Sequence, residues 1–207
     1  MKKQTFFITG ISTEVGKTIA SSIVTEALQA DYWKPIQAGD LDFGDTEKVK
    51  SLVSNPKTVF QPNAHALQTQ MSPHAAAEID GVKIASAKIK RPKTKNHLVI
   101  EGAGGLLVPI NDTETILDLI LPEDQVIIVS RHYLGSINHT LLTIEKLKQS
   151  RKQIFGILFS GSENKSTETI IAKMSGVRIL GRIDEEPYFD KMVVREYAEG
   201  LDLGIET

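Results

Sequence analysis

Thr9-Gly10-Ile11-Ser12-Thr13-Glu14-Val15-Gly16-Lys17-Thr18 follows directly on the apolar run Phe6-Phe7-Ile8 and precedes a segment of helical periodicity. A glycine-rich loop between a strand and a helix is the setting of a phosphate loop, and each residue type has its reason. Gly10 and Gly16 let the backbone turn so that successive N–H groups point at phosphate oxygens. The helix that follows presents the positive end of its dipole to the same anion. Lys17 can reach the β- and γ-phosphates, and Thr18 offers a hydroxyl to Mg²⁺. Five residues, rather than the common four, separate Gly10 from Gly16. The competing reading is a glycine turn with an exposed lysine, and Gly-Lys-Thr at a strand–helix junction argues against it. Nucleotide binding is therefore expected from this element, while the reaction is not specified by it.

Outward from the loop, short β-rich runs recur: Phe6-Phe7-Ile8, Tyr32-Trp33, Leu98-Val99-Ile100, then residues 126–129, 154–159 and 177–180. They are continuously apolar rather than alternating, as parallel strands covered on both faces must be. Helical patterns separate them at 18–30 and 137–149, with shorter ones at 115–121 and 167–174. The alternation predicts an α/β fold of three layers, a mainly parallel central sheet flanked by helices, in the manner of P-loop NTPases. Residues 1–207 are expected to form one domain. Residues 40–95, with Pro56, Pro62, Pro73 and Pro92, read as helices joined by long loops, and the tail after Pro187 reads as acidic and unpatterned.

Composition narrows the function. Lys and Arg number 24 against 26 Asp and Glu, a net charge of -2, which lacks the basic excess of a dedicated nucleic-acid binder. The absence of cysteine excludes a thiolate nucleophile and any cysteine-held metal. No apolar run approaches the roughly 20 residues of a membrane span. The start breaks at Thr9-Gly10, short of a signal core. No membrane partner and a cytoplasmic location are expected.

Candidate chemistry beyond the loop is acidic and basic. Glu101 ends the apolar run 98–100 and precedes Gly102-Ala103-Gly104-Gly105, so an anchor for Mg²⁺ is placed beside an open loop. Lys34 ends the second strand before Pro35, at the edge where open α/β sheets bind ligands; it is either a solvated charge or a second cation for phosphate. Asp40, Asp42 and Asp45 follow, any of which is a candidate further carboxylate. His65, His74, His97, His132 and His139 show no ligand spacing, and neither Ser12 nor Ser136 has an acid–histidine pattern nearby. Leu134-Gly135-Ser136-Ile137-Asn138-His139 begins a helix, where plain capping is the simpler reading.

Taken together, the set resembles the dethiobiotin synthetase family. The similar pieces are residues 9–18, Lys34-Pro35-Ile36-Gln37-Ala38-Gly39, Ser72-Pro73-His74, Glu101 to Gly105 with Leu107-Val108-Pro109, and Leu134 to His139, in the family's order. The family's loop has the same five-residue spacing. The resemblance implies an ATP- and Mg²⁺-dependent ring closure in which 7,8-diaminononanoate and CO₂ give dethiobiotin, ADP and phosphate. By matching position it implies that Glu14, Val15, Gly16, Lys17, Thr18 and Ile19 bind phosphate, and that Thr18, Asp45 and Glu101 hold Mg²⁺. Lys34, with Lys17, would be catalytic, and Thr13, Glu101, Gly102, Ala103 and Gly104 would line the site. Gly135, Ser136, Ile137 and Asn138 would receive the substrate carboxylate from the partner subunit of a homodimer. The sequence departs from the family where Ala38 replaces a usual Ser or Thr at the substrate, and where Phe159-Ser160-Gly161 and Gly181-Arg182-Ile183-Asp184 replace its base-binding elements. Base recognition is then expected from backbone near Ser160, Gly161, Asp184, Glu185 and Glu186. The alternative is a partitioning-type ATPase switch with a protein partner; such proteins usually carry an extra lysine early in the loop, where Ile11 and Ser12 stand here.

Overall fold

The computed structural model describes residues 3–201, 203 and 204. The strands are β1 (Thr5–Gly10), β2 (Asp31–Trp33), β3 (Ile36–Ala38), β4 (Phe60–Gln61), β5 (His65–Leu67), β6 (Leu98–Gly105), β7 (Gln125–Arg131), β8 (Gln153–Ser160) and β9 (Ile179–Ile183). The α-helices are α1 (Lys17–Leu28), α2 (Asp45–Leu52), α3 (Pro73–Ile79), α4 (Ser136–Gln149), α5 (Lys165–Ser175) and α6 (Lys191–Glu199). Seven strands form one sheet in the order β4-β2-β6-β1-β7-β8-β9, and every pairing in it is parallel. The chain steps leftward in this order from β1 through α1 to β2, and rightward from β7 through α4 to β8. Right-handed crossovers then place those helices on opposite faces. On one side α1 packs with α2 and α6, and on the other α4 packs with α5. The result is the three-layer α/β sandwich of P-loop NTPases.

The apolar runs do what parallel strands require: Phe6, Phe7, Ile8 and residues 126–129 are wholly buried. The order reverses around β1, and at such a switch point loops diverge from the carboxyl edge and leave a crevice. A small second sheet pairs β3 with β5 in parallel, carrying the chain after Lys34 alongside that crevice.

Several elements depart from the sequence reading. The strand expected at 177–180 begins two residues later, since Ile157 pairs with Ile179 and Leu158 with Gly181. The segment 115–121 makes only a 3₁₀ turn, Ile116–Leu119, closed by a Thr115–Asp118 capping box and followed by Pro122. Residues 40–95 hold α2 and α3 as expected, but also β4 and β5, which at two and three residues are too short to show periodicity. The tail after Pro187 contains α6: Asp190 accepts hydrogen bonds from the Met192 and Val193 amides, and Val194 and Ala198 are buried at helical spacing. Among the described residues, no helix is long and apolar enough to cross a membrane.

Candidate active site

The loop after β1 folds tightly because its glycines leave no alternative. A Cβ on Gly10 would lie 2.6 Å from Val15 Cγ2 and 2.7 Å from the Ser12 carbonyl oxygen. Gly16 has φ +90°, and a Cβ there would meet Ser160 Oγ at 2.9 Å, so β8's end stands over the loop. Glu14 adopts φ 56°, a left-handed turn that lets consecutive amides share one concave side. Lys17 opens α1, and its Nζ donates to the Ser12 carbonyl at 3.1 Å. Burial, reinforced by the neighbouring charge of Lys34, lowers its pKa to about 8.

Around Thr18 the charged groups converge. Its hydroxyl lies 3.1 Å from both Asp45 Oδ1 and Glu101 Oε1. Lys34 Nζ sits 2.7 Å from Asp45 Oδ2, donates to Glu101 Oε1 at 2.9 Å, and donates to the Gly102 carbonyl at 3.0 Å. Lys34 is only 3 % exposed, which settles it as an enclosed cation rather than a solvated one. Burial alone would lower its pKa; Glu101 and Asp45 outweigh that and raise it. Burial likewise pushes Asp45 up, and Lys34 overrides this and holds it low. Of the three candidate aspartates, Asp45 alone joins this cluster, as the first residue of α2. Its amide donates to Gln37 Oε1 at 3.1 Å, and Gln37 Nε2 donates to the Gly39 carbonyl at 3.0 Å. Glu101 does not end its strand: β6 continues to Gly105, with a register shift where β1 reaches Gly10.

These groups face a cleft of about 700 Å³. Thr13, Glu14, Val15, Gly16, Lys17, Thr18, Ala38, Asp45, Glu101, Ala103 and Gly104 line it, together with Lys34. Ile19 and Gly102 are not part of its lining, though the Gly102 carbonyl accepts from Lys34. Ser160, Gly161, Asp184, Glu185 and Glu186 are not part of its wall; they gather at the ends of β8 and β9, where the Gly161 amide donates to the Ile183 carbonyl. Arg131, which does line the cleft, reaches Glu185 at 3.0 Å and links the two regions. Gly135, Ser136, Ile137 and Asn138 stand apart at the start of α4, with Gly135 at φ +101° and no side chain capping the helix. A second cavity, of about 400 Å³, lies between Ile11, Ser12 and Thr13 on one side and His139 and Leu142 on the other. Thr13 borders both cavities.

Two contributors escaped the sequence reading. Gln37 fixes the start of α2, and Tyr32 donates its hydroxyl to Glu101 Oε2 at 3.0 Å. Tyr32 reads in the sequence only as a strand residue, and nothing local marks its hydroxyl as spoken for.

Lys17, Lys34, Asp45 and Glu101 sum to no net charge, so an entering polyphosphate requires an added cation beyond the loop amides. Two carboxylates and a hydroxyl supply hard oxygen donors. Among the described residues, no group of three or more His, Cys, Asp or Glu forms a cage for a metal. That donor set fits Mg²⁺, which keeps waters and takes substrate phosphate oxygens in preference to an all-protein site.

Similarity to known proteins places the chain in a lineage. A family model described as an AAA domain matches residues 4–193. The chain is 65% identical over 196 residues to the ATP-dependent dethiobiotin synthetase BioD of Christiangramia forsetii, covering 95% of each chain. It is 50% identical to the enzyme of the same name from Cytophaga hutchinsonii, covering 97% of each. Among solved structures, a Borrelia burgdorferi plasmid partition protein bound to AMPPNP aligns over 99% of this chain and 98% of its own, with TM-score 0.62 and 15% identity. The Pyrococcus horikoshii septum site-determining protein MinD with Mg-ADP aligns over 95% and 86%, with TM-score 0.59 and 13% identity. At those identities the partition-type proteins share the fold alone, whereas near-full-length identities of 65% and 50% identify the lineage: this chain belongs to the ATP-dependent dethiobiotin synthetase family.

Proposed function

We propose that this chain closes the ureido ring of dethiobiotin from 7,8-diaminononanoate and CO₂ at the expense of ATP. The observation that carries the reading is the enclosed Lys34, held between Asp45 and Glu101 one side chain away from the phosphate loop. A partitioning-type switch usually takes its second lysine from within the loop, whereas here it comes from the chain just after β2. A second buried lysine facing the same cleft serves a phosphoryl group in transit to an acceptor.

The chemistry is consistent with those residues. An amine and CO₂ give a carbamate, whose oxygen is a poor leaving group. Attack of that oxygen on the γ-phosphorus, with ADP leaving, forms a carbamic–phosphoric anhydride. The neighbouring amine then attacks its carbonyl carbon, phosphate departs, and the amine's proton is lost. Lys17 and the loop amides would hold the β- and γ-phosphates, and Lys34 would lie against the oxygens shared by carbamate and phosphate. Thr18, Asp45 and Glu101 would hold Mg²⁺, which when bound supplies positive charge to the nucleotide phosphates. With both reactants fixed, positioning contributes most of the acceleration.

The substrate's carboxylate is assigned to Gly135, Ser136, Ile137 and Asn138 of a partner subunit in a homodimer. Exposed Leu107 and Leu142, which line the second cavity, and exposed Leu134 and Ile137 at the start of α4 support such a pairing. Ala38 would face the reacting substrate without a hydroxyl, and the adenine would rest near Ser160, Gly161 and Asp184, Glu185 and Glu186. Phosphate release from ATP should require both diaminononanoate and bicarbonate. Hydrolysis independent of them, or none with them, would overturn the reading. Lys34→Ala should abolish ring closure while nucleotide still binds, and near-normal turnover would remove Lys34 from its role.

A further inference from the structure

Tyr32 and Lys34 lie two residues apart on one chain segment, so both project from the same face of the sheet. Tyr32 pairs with Val99 of β6, and Glu101 is one pleat further along that strand on the same face. The two side chains therefore meet the same carboxylate, one on each oxygen: Tyr32 Oη donates to Oε2 at 3.0 Å and Lys34 Nζ donates to Oε1 at 2.9 Å. Thr18 Oγ1 lies on the Lys34 side, 3.1 Å from Oε1. Tyr32 is wholly buried, its ring beside Phe60 of β4 with centroids 6.2 Å apart. Its hydroxyl thus has no water to turn to, and Oε2 has no other listener among the groups described.

We propose that Tyr32 is a positioning residue: its hydroxyl pins the inner oxygen of Glu101 so that only Oε1 faces the cleft and Thr18. Glu101 then presents a single oxygen to the cleft, and the residues that would hold the cation are ordered before nucleotide arrives. Outer partners of this kind hold a ligand's orientation, and their loss typically weakens a metal site without moving the fold. The proposal rests on the assignment of Glu101 under the proposed function, and the two can fail separately.

The test is Tyr32→Phe, which keeps the ring and its contact with Phe60 and removes only the donor. Mn²⁺ binding to the ADP complex, read by electron paramagnetic resonance, should weaken by about 10-fold. The half-saturating Mg²⁺ concentration for turnover should rise in parallel, with the KM for diaminononanoate little changed. Phe60→Leu, which loosens the same packing without touching the carboxylate, should lower Tm and leave Mn²⁺ affinity as in the native chain. An unchanged Mn²⁺ affinity in folded Tyr32→Phe overturns the proposal, as does an equal loss in Phe60→Leu. Should Tyr32→Phe not fold, the ¹⁹F resonance of 3-fluorotyrosine at position 32 should shift when Mg²⁺ is added to the ADP complex; a stationary signal is the overturning result. A native chain without diaminononanoate-dependent turnover but with Mn²⁺ binding sensitive to Tyr32 would sink the synthetase reading and leave this one standing.

Discussion

Lys17 and Lys34 are both enclosed, 8 % and 3 % exposed, yet their surroundings move them in opposite directions. Lys17 has burial and a like charge against it, and its pKa falls to about 8; Lys34 touches two carboxylates and its pKa rises. The unfolded chain holds the Lys17 proton up to the ordinary 10.5 while the fold releases it near 8. Between those values the folded state binds fewer protons, so this residue makes the unliganded protein more stable as pH rises. Lys34 acts with the opposite sign: its contribution is complete below 10.5 and is lost as pH climbs through its raised folded value. Asp45 contributes above 3.8 and loses that as pH falls through its lowered value. Triphosphate beside Lys17 should restore its proton. Calorimetry of ATP binding at a pH of about 8.5, in two buffers of different ionisation enthalpy, should therefore show net proton uptake. Lys17→Met should remove that uptake; uptake of the same size in the variant would assign the proton elsewhere.

At the scale of elements, the phosphate loop is only as well placed as α1, and α6 braces α1 from outside. Val194 and Ala198 of α6 are buried, and Arg195 donates to Ser54 Oγ at 2.8 Å. Ser54 in turn donates through its amide at 2.8 Å to Glu26 of α1. The helix starts where Asp190 takes two backbone amides, each at 2.9 Å. Asp190→Ala should cost about 1 kcal/mol in urea unfolding. A loss near zero would mean that α6 is held by packing alone. The tail looks unpatterned from sequence because in nine residues the apolar face of α6 is carried chiefly by Val194 and Ala198, with Met192 exposed.

For the whole molecule, the switch point around β1 gathers the phosphate cleft, while the ends of β8 and β9 form a separate rim linked by Arg131 and Glu185. If backbone groups near Ser160 and residues 184–186 select the base, kcat/KM for ATP should exceed that for CTP by at least about tenfold, the discrimination that one or two directed hydrogen bonds supply. Comparable values would show that these contacts do not discriminate. The order of residues along the chain was enough for the strand–loop–helix unit and the mainly parallel sheet, and it marked Lys17, Thr18 and Glu101 as candidates while leaving Lys34 between a solvated charge and a second cation. Those follow from local apolar runs and from residue types whose chemistry is the same wherever they stand. Folding alone reveals that Asp45 and not Asp40 or Asp42 joins Thr18, that Lys34 is enclosed, that Tyr32 donates to the Glu101 carboxylate, and that Gln37 accepts from the Asp45 amide. Those contacts span from 8 to 69 residues of chain, and the longest exist because β2 lies beside β6. No local pattern encodes that adjacency. It is set by which apolar faces the folded sheet can bury together.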